Sequence, residues 1–212
     1  MSDNKIYAPA VSVTMQGLAF GALGEDAQAV TTATPLPGWT PGGLLTVTGG
    51  LVRPADTTAY AAGDLLANST TAGSVAPLEL AGATRAAGEA IRIERVRLRK
   101  SGPGLTNAAF RVHLFRKSPV VGVGDNGVFN ASGVLALADI EGHVGAVDVV
   151  MDVAAVIGAR GVGLPSVGSG MTCESAGAAG HETSLWALIE VRAAYNPAAG
   201  ESVFVTLEGA RS

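Results

Sequence analysis

From Asp56 onward, apolar residues recur two positions apart, with polar residues between them and Gly, Pro, Asn or Asp closing each run. That period belongs to half-buried β-strands rather than to helices. Ile91 and Ile93 alternate on odd positions and Val96 and Leu98 on even ones, so the phase slips at Glu94-Arg95. A one-residue slip in an alternating strand predicts a β-bulge, which returns the apolar set to the same face. After the turn-rich stretch 101–107, Phe110, Val112 and Leu114 share a face, and the two runs together predict a hairpin. Further strands are expected over 134–138, 185–195 and 202–208, the last with Val203, Val205 and Leu207 on one side. Residues 146–157 fit a helix with Asp148 and Asp152 on its solvent face, and equally a β-branched strand. A turn of helix is expected around 138–140. Seven glycines within 158–180 predict a long loop, because each costs backbone entropy in a regular element.

The first 54 residues read differently. Pro9, Pro35, Pro37, Pro41 and Pro54 fall there, five of the ten prolines, and each removes a donor that a central strand or helix needs. The expectation is an extended Pro/Gly-rich arm over 1–54, with edge strands over 45–52 as the alternative. The fold expected for 55–212 is all-β, an antiparallel β-sandwich or jelly-roll-like barrel with little helix.

Composition narrows the function classes. Ala (37) and Gly (29) dominate, aromatics are 5%, and charged residues are 15% against about 25% in an average domain. The single Cys173 forbids an intrachain disulfide, and the start of the chain lacks a basic-then-apolar leader. No uninterrupted apolar run reaches the roughly 18 residues of a membrane helix. Gly122-Val123-Gly124-Asp125-Asn126-Gly127 has dinucleotide-fingerprint spacing, but no helix start follows it, so turn residues are the better reading. His113, His143 and His181 lack zinc-site neighbours. Cys173 has no local cation to activate it, and Asp139/Glu141 and Asp148/Asp152 are chemistry only if folding converges them. The expectation is a protein that is not an enzyme, with no cofactor, no metal and no small-molecule substrate.

Charge departs from this bland background. The segment from Arg85 to Lys117 carries +7, and the rest of the chain −11. Arg92, Arg97, Arg99 and Arg111 are expected to project outward together, with Arg95 at the bulge and Arg116 nearby. Clustered guanidinium groups suit carboxylate-rich protein surfaces or phosphates. Nucleic acid is disfavoured by the pI of about 5.3 and by the lack of aromatic residues among these arginines. Pairing with acids of the same chain is the competing explanation for the cluster.

The order of short motifs carries a resemblance. Tyr60-Ala61-Ala62-Gly63-Asp64 precedes the basic strand 91–100. A strand ending Leu114-Phe115 follows, with Pro119 and Phe129 downstream, then Asp139-Ile140, Gly163-Leu164-Pro165 and the strands 185–195 and 203–207. Over residues 56–209 this resembles a family of structural proteins encoded in the virion-morphogenesis regions of tailed bacteriophages. The resemblance implies a β-rich decoration (cement) protein on the outer capsid surface, made in the host cytoplasm, without catalytic residues. Its expected partners are the major capsid protein and neighbouring copies of itself, with no nucleic acid and no membrane. The partner-binding residues expected on that reading are Arg92, Arg95, Arg97, Arg99, Arg111 and Arg116. Alternatives are a tail or baseplate component, a carbohydrate-binding module using Trp39, Trp186, Tyr60 and Tyr195, and a β-fold hydrolase built on Asp139, Glu141, Asp148 or His143.

Overall fold

The computed structural model describes residues 19–20, 28–29, 44–129, 131, 133–166 and 170–211. The chain divides into two units, Met1–Thr40 and Pro41–Ser212. In the first, β1 (Ala19–Phe20) pairs antiparallel with β2 (Gln28–Ala29). The remainder of the expected arm up to residue 43 lies outside the described residues.

The second unit is one antiparallel sheet of ten strands that curls into a half-barrel, in keeping with the expected all-β class. Its elements are β3 (Leu44–Val52), β4 (Leu65–Leu66), β5 (Leu78–Leu80), β6 (Ala90–Lys100), β7 (Ala109–Phe115), α1 (Leu137–Ile140), β8 (His143–Ala155), β9 (Gly158–Gly163), β10 (Met171–Glu174), β11 (Leu185–Val191) and β12 (Ser202–Arg211). The path across the sheet is β3-β12-β6-β9-β8-β7-β11-β4, with β10 also on β6 and β5 also on β11.

Alternation decides which face is inside. Leu45 and Val47, Ile91 and Ile93, Val96 and Leu98, Val112 and Leu114, and Val203, Val205 and Leu207 all point into one core. The predicted bulge is present: Glu208 pairs with Arg95 while Gly209 pairs with Ile93, leaving Glu94 as the extra residue. β11 is buried along its whole length because its second face is also covered. Trp186 and Leu188 pack there against Phe115, Val121, Phe129 and Val134 in a second apolar cluster.

Four expectations need correction. The hairpin joining 91–100 to 110–114 does not form: β9 and β8 lie between β6 and β7 in the sheet. Residues 158–180 are not one loop, since they contain β9 and β10; a Cβ on Gly161 would lie 2.1 Å from the Val150 carbonyl oxygen, so glycine there permits the strands' close approach. Residues 44–52, assigned to the arm on proline content, form β3 and pair with β12 along its length, as the edge-strand alternative has it. Residues 134–138 give an isolated bridge from Leu135 to Val121 and then the start of α1. The 146–157 ambiguity resolves as strand β8, and the helical turn near 138–140 is α1.

A buried polar chain ties β3 to the rest of the unit. Arg53 pairs with Asp125 at 2.9 Å, and Tyr60 donates its hydroxyl to Asp125 at 2.6 Å. Tyr60 stacks on Tyr195, whose hydroxyl donates to Glu201, and Glu201 pairs with Lys100 at 3.1 Å. Asp125 also accepts the Ala67 backbone N–H at 2.7 Å. The glycine-rich 122–127 segment thus serves as a turn that aims Asp125 inward, with Asn126 at φ 62°.

Candidate docking surface

Because Ile91, Ile93, Val96 and Leu98 point inward, Arg92, Arg95, Arg97 and Arg99 leave β6 on the opposite face. The structure brings these four together. Arg111 and Arg116 belong elsewhere: Arg111 lies on β7, separated from β6 by two strands, and Arg116 just beyond the end of β7. The expectation that Arg111 projects with the β6 arginines is therefore corrected. Sequence adjacency suggests a hairpin, whereas β6 takes β12 and β9 as neighbours.

The acids of the chain occupy most of these cations. Glu208 on β12 bridges Arg95 and Arg97, Arg92 lies 4.0 Å from Glu94, and Arg116 lies 3.3 Å from Glu174. Arg111 grips Asp148 in a two-pronged contact at 2.7 and 2.8 Å. The hydrogen bond from Arg111 holds the Asp148 carboxyl below its ordinary range against a smaller opposing effect of burial. Such surface pairs add about 0–1 kcal/mol each, so they organise the face more than they stabilise the fold.

Arg99 is different. Its guanidinium lies 4.3 Å over the Phe204 ring, and among the described residues it has no carboxylate partner. Its cross-strand neighbour on β9 is Arg160, which likewise has none. Two like charges directly opposed on a sheet disfavour each other. Both line a cleft of about 450 Å³ whose walls include Val153, Ala155, Ile157 and Phe204. Around it the surface is unusually apolar: Val156 is 93% exposed, Ile157 85% and Leu164 70%. Arg160 was not among the expected partner-binding residues. Its signal in the sequence is weak, a lone cation in a glycine-rich stretch.

The other candidate groups are dispersed or occupied. His113 lies 2.9 Å from Glu190 and 3.3 Å from His143, on the outer side of β7. Burial pushes the His113 imidazole below its ordinary value and outweighs the Glu190 contact, and burial acts on His143 in the same direction. Burial raises Glu190, but hydrogen bonds with His113 and Arg192 leave its carboxyl lower on balance. Asp139 pairs with Lys117 at 3.7 Å, and Asp148 is held by Arg111. Of the four groups Asp139, Glu141, Asp148 and His143, Glu141 and His143 line one open pocket beside Arg116, while Asp139 and Asp148 are not among its lining residues. Among the described residues no set of three or more His, Cys, Asp or Glu side chains is placed to hold a metal. Burial pushes the Cys173 thiol up to about 12, far from nucleophilic. Tyr60, Tyr195 and Trp186 are core residues, and Trp39 lies outside the described residues. Among the described residues no helix is long and apolar enough to cross a membrane.

Searches against protein-family models and against curated proteins find no match for this chain.

Proposed function

We propose that this chain is a structural, non-catalytic component of a large assembly, docking through the outer face of β12, β6 and β9. The specific form of the reading is a decoration protein on the outer head surface of a tailed phage, contacting the major capsid protein and neighbouring copies. The observation that carries it is the combination on one sheet face of the arginine row Arg92, Arg95, Arg97 and Arg99 with the exposed aliphatic residues around 153–164. Arginine beside apolar surface is the chemistry of protein–protein contacts: the planar guanidinium pairs with carboxylates in two-pronged geometry and sheds water readily. A hydrogen-bonded half-barrel presents that face with little loss of conformational entropy on binding. The phage-protein resemblance of residues 56–209 supplies the particular assembly.

The test is binding of purified chain to undecorated heads, with occupancy read from cryo-EM density. Arg97→Glu/Arg99→Glu is expected to weaken binding at least about tenfold, a loss of about 1.4 kcal/mol or more from reversing charge at an interface. Arg111→Glu/Arg116→Glu, lying off this face, is expected to bind as wild type. Equal occupancy for the first pair sinks the reading.

A further inference from the structure

The ends of β8 carry two surfaces that complement each other. Before its first residue, α1 leaves Leu137 73% and Ile140 53% exposed, with Glu141 exposed beside them. Among the described residues Glu141 has no ion pair, although cations lie nearby. Those cations are engaged with other acids, Lys117 with Asp139 and Arg116 with Glu174. This exposed turn, the knob of the contact, carries two aliphatic side chains and, at the rim of the pocket it shares with Arg116, one carboxylate with no ion pair among the described residues.

The cleft lies at the opposite end of the same strand. Val153 and Ala155 close β8 there, Ile157 forms the turn, and Arg160 and Arg99 face each other across β9 and β6. It offers a complement to the knob: apolar walls and two guanidiniums that have no carboxylate partner among the described residues. β8 has 13 residues. At about 3.3 Å per residue it is roughly 40 Å long, so knob and cleft of one chain lie far apart.

We propose that the knob of one copy seats in the cleft of a second copy, with Glu141 between Arg99 and Arg160 and with Leu137 and Ile140 against Phe204 and Ile157. A carboxylate between the two arginines cancels their mutual repulsion, and the apolar residues on both sides leave water together. Because the two surfaces differ, the contact is head-to-tail, and its repetition either closes a ring or extends a row along a surface. The inference rests on the multi-copy part of the proposed function and names the residues that join the copies.

The experiment uses full-length chain and sedimentation velocity at moderate salt, without any particle. At about 100 μM wild type is expected to sediment as an oligomer. Arg160→Glu and Glu141→Arg are each expected to weaken self-association at least about tenfold, with circular dichroism unchanged. The double variant Arg160→Glu/Glu141→Arg restores one opposite-charge contact and is expected to recover most of the lost association. A wild type that stays monomeric at that concentration overturns the proposal, as do single variants that associate like wild type or a double variant no better than the singles. Head binding is measured separately: a chain that self-associates with charge-swap rescue but does not decorate heads contradicts the capsid reading and leaves this contact standing.

Discussion

Arg53 and Asp125 face each other at 2.9 Å with 0% and 1% of their side chains exposed, so neither can fall back on water if the other is lost, and without Asp125 the Arg53 guanidinium is left with the longer 3.5 Å contact to Asp56. Removing one member of a buried pair costs about 3–5 kcal/mol, because the remaining charge is stranded. Asp125→Ala is therefore expected to lower unfolding free energy by roughly that amount in urea titrations, whereas Asp148→Ala, at the exposed Arg111 pair, is expected to cost less than about 1 kcal/mol. Burial, reinforced by the hydrogen bond to Asp125, raises the Tyr60 hydroxyl far above its ordinary value, so it stays a donor across working pH. His113 gives the pH-dependent counterpart. Burial lowers its folded-state value, so below the ordinary histidine value of about 6.5 the unfolded chain takes up the proton first, and stability falls with pH. Of its neighbours, His143 is lowered by burial as well and adds to the same window, whereas Glu190 and Asp148 are lowered carboxylates that act nearer pH 4. Thermal unfolding from about pH 7.5 to 5.5 is expected to show a midpoint that drops with acid, and His113→Gln is expected to flatten that drop. These residues differ in how far the sequence exposed them. Lys100 shares the parity of Val96 and Leu98, which already places it inward, but its neighbours in the chain group it with the basic cluster. Its partner Glu201 lies 101 positions away, a pairing that local pattern does not reveal.

β6 on either side of its bulge, β7 and β12 are legible because a buried face writes period two into the chain, and β11 because burial on both faces leaves a short, nearly continuous apolar run. β9 and β10 are not, since GARGVG looks like a loop by composition while its glycines are there for spacing. At Gly163 a Cβ would lie 2.2 Å from the Asp148 carbonyl oxygen and 2.8 Å from side-chain carbons of Val147 and Val149, so the strand reads as weak locally yet is required by its neighbour. Neighbour choice is the other hidden quantity: β6 and β7 are consecutive in sequence but separated by β9 and β8, and that insertion divides the expected arginine cluster into two. Gly163→Ala is expected to destabilise by roughly 1–3 kcal/mol, the usual cost of forcing atoms into a filled site. Hydrogen exchange should localise the loss to β8 and β9. Gly104→Ala is the control, because a Cβ there meets nothing within 4 Å.

At the scale of the whole molecule, proline content and strand pairing disagree about where the sheet unit begins. Prolines place the boundary after residue 54, while the contacts place it at Pro41. The difference is β3 together with Arg53. β3 covers the edge of β12 over nine residue pairs and contributes Leu45 and Val47 to the core, and Arg53 neutralises the buried Asp125. A chain beginning at residue 55 would therefore expose the β12 edge, open the apolar core and leave Asp125 without the Arg53 cation. A chain beginning at residue 41 retains all ten strands, both apolar clusters and the whole buried polar chain. The expectation is that fragment 41–212 unfolds cooperatively in urea with nearly the midpoint of full-length chain, and that fragment 55–212 is insoluble or gives no cooperative transition. If 55–212 unfolded at the same midpoint as 41–212, β3 and Arg53 would be accessories to the fold, and the stabilising role assigned to the Arg53–Asp125 pair would be wrong as well.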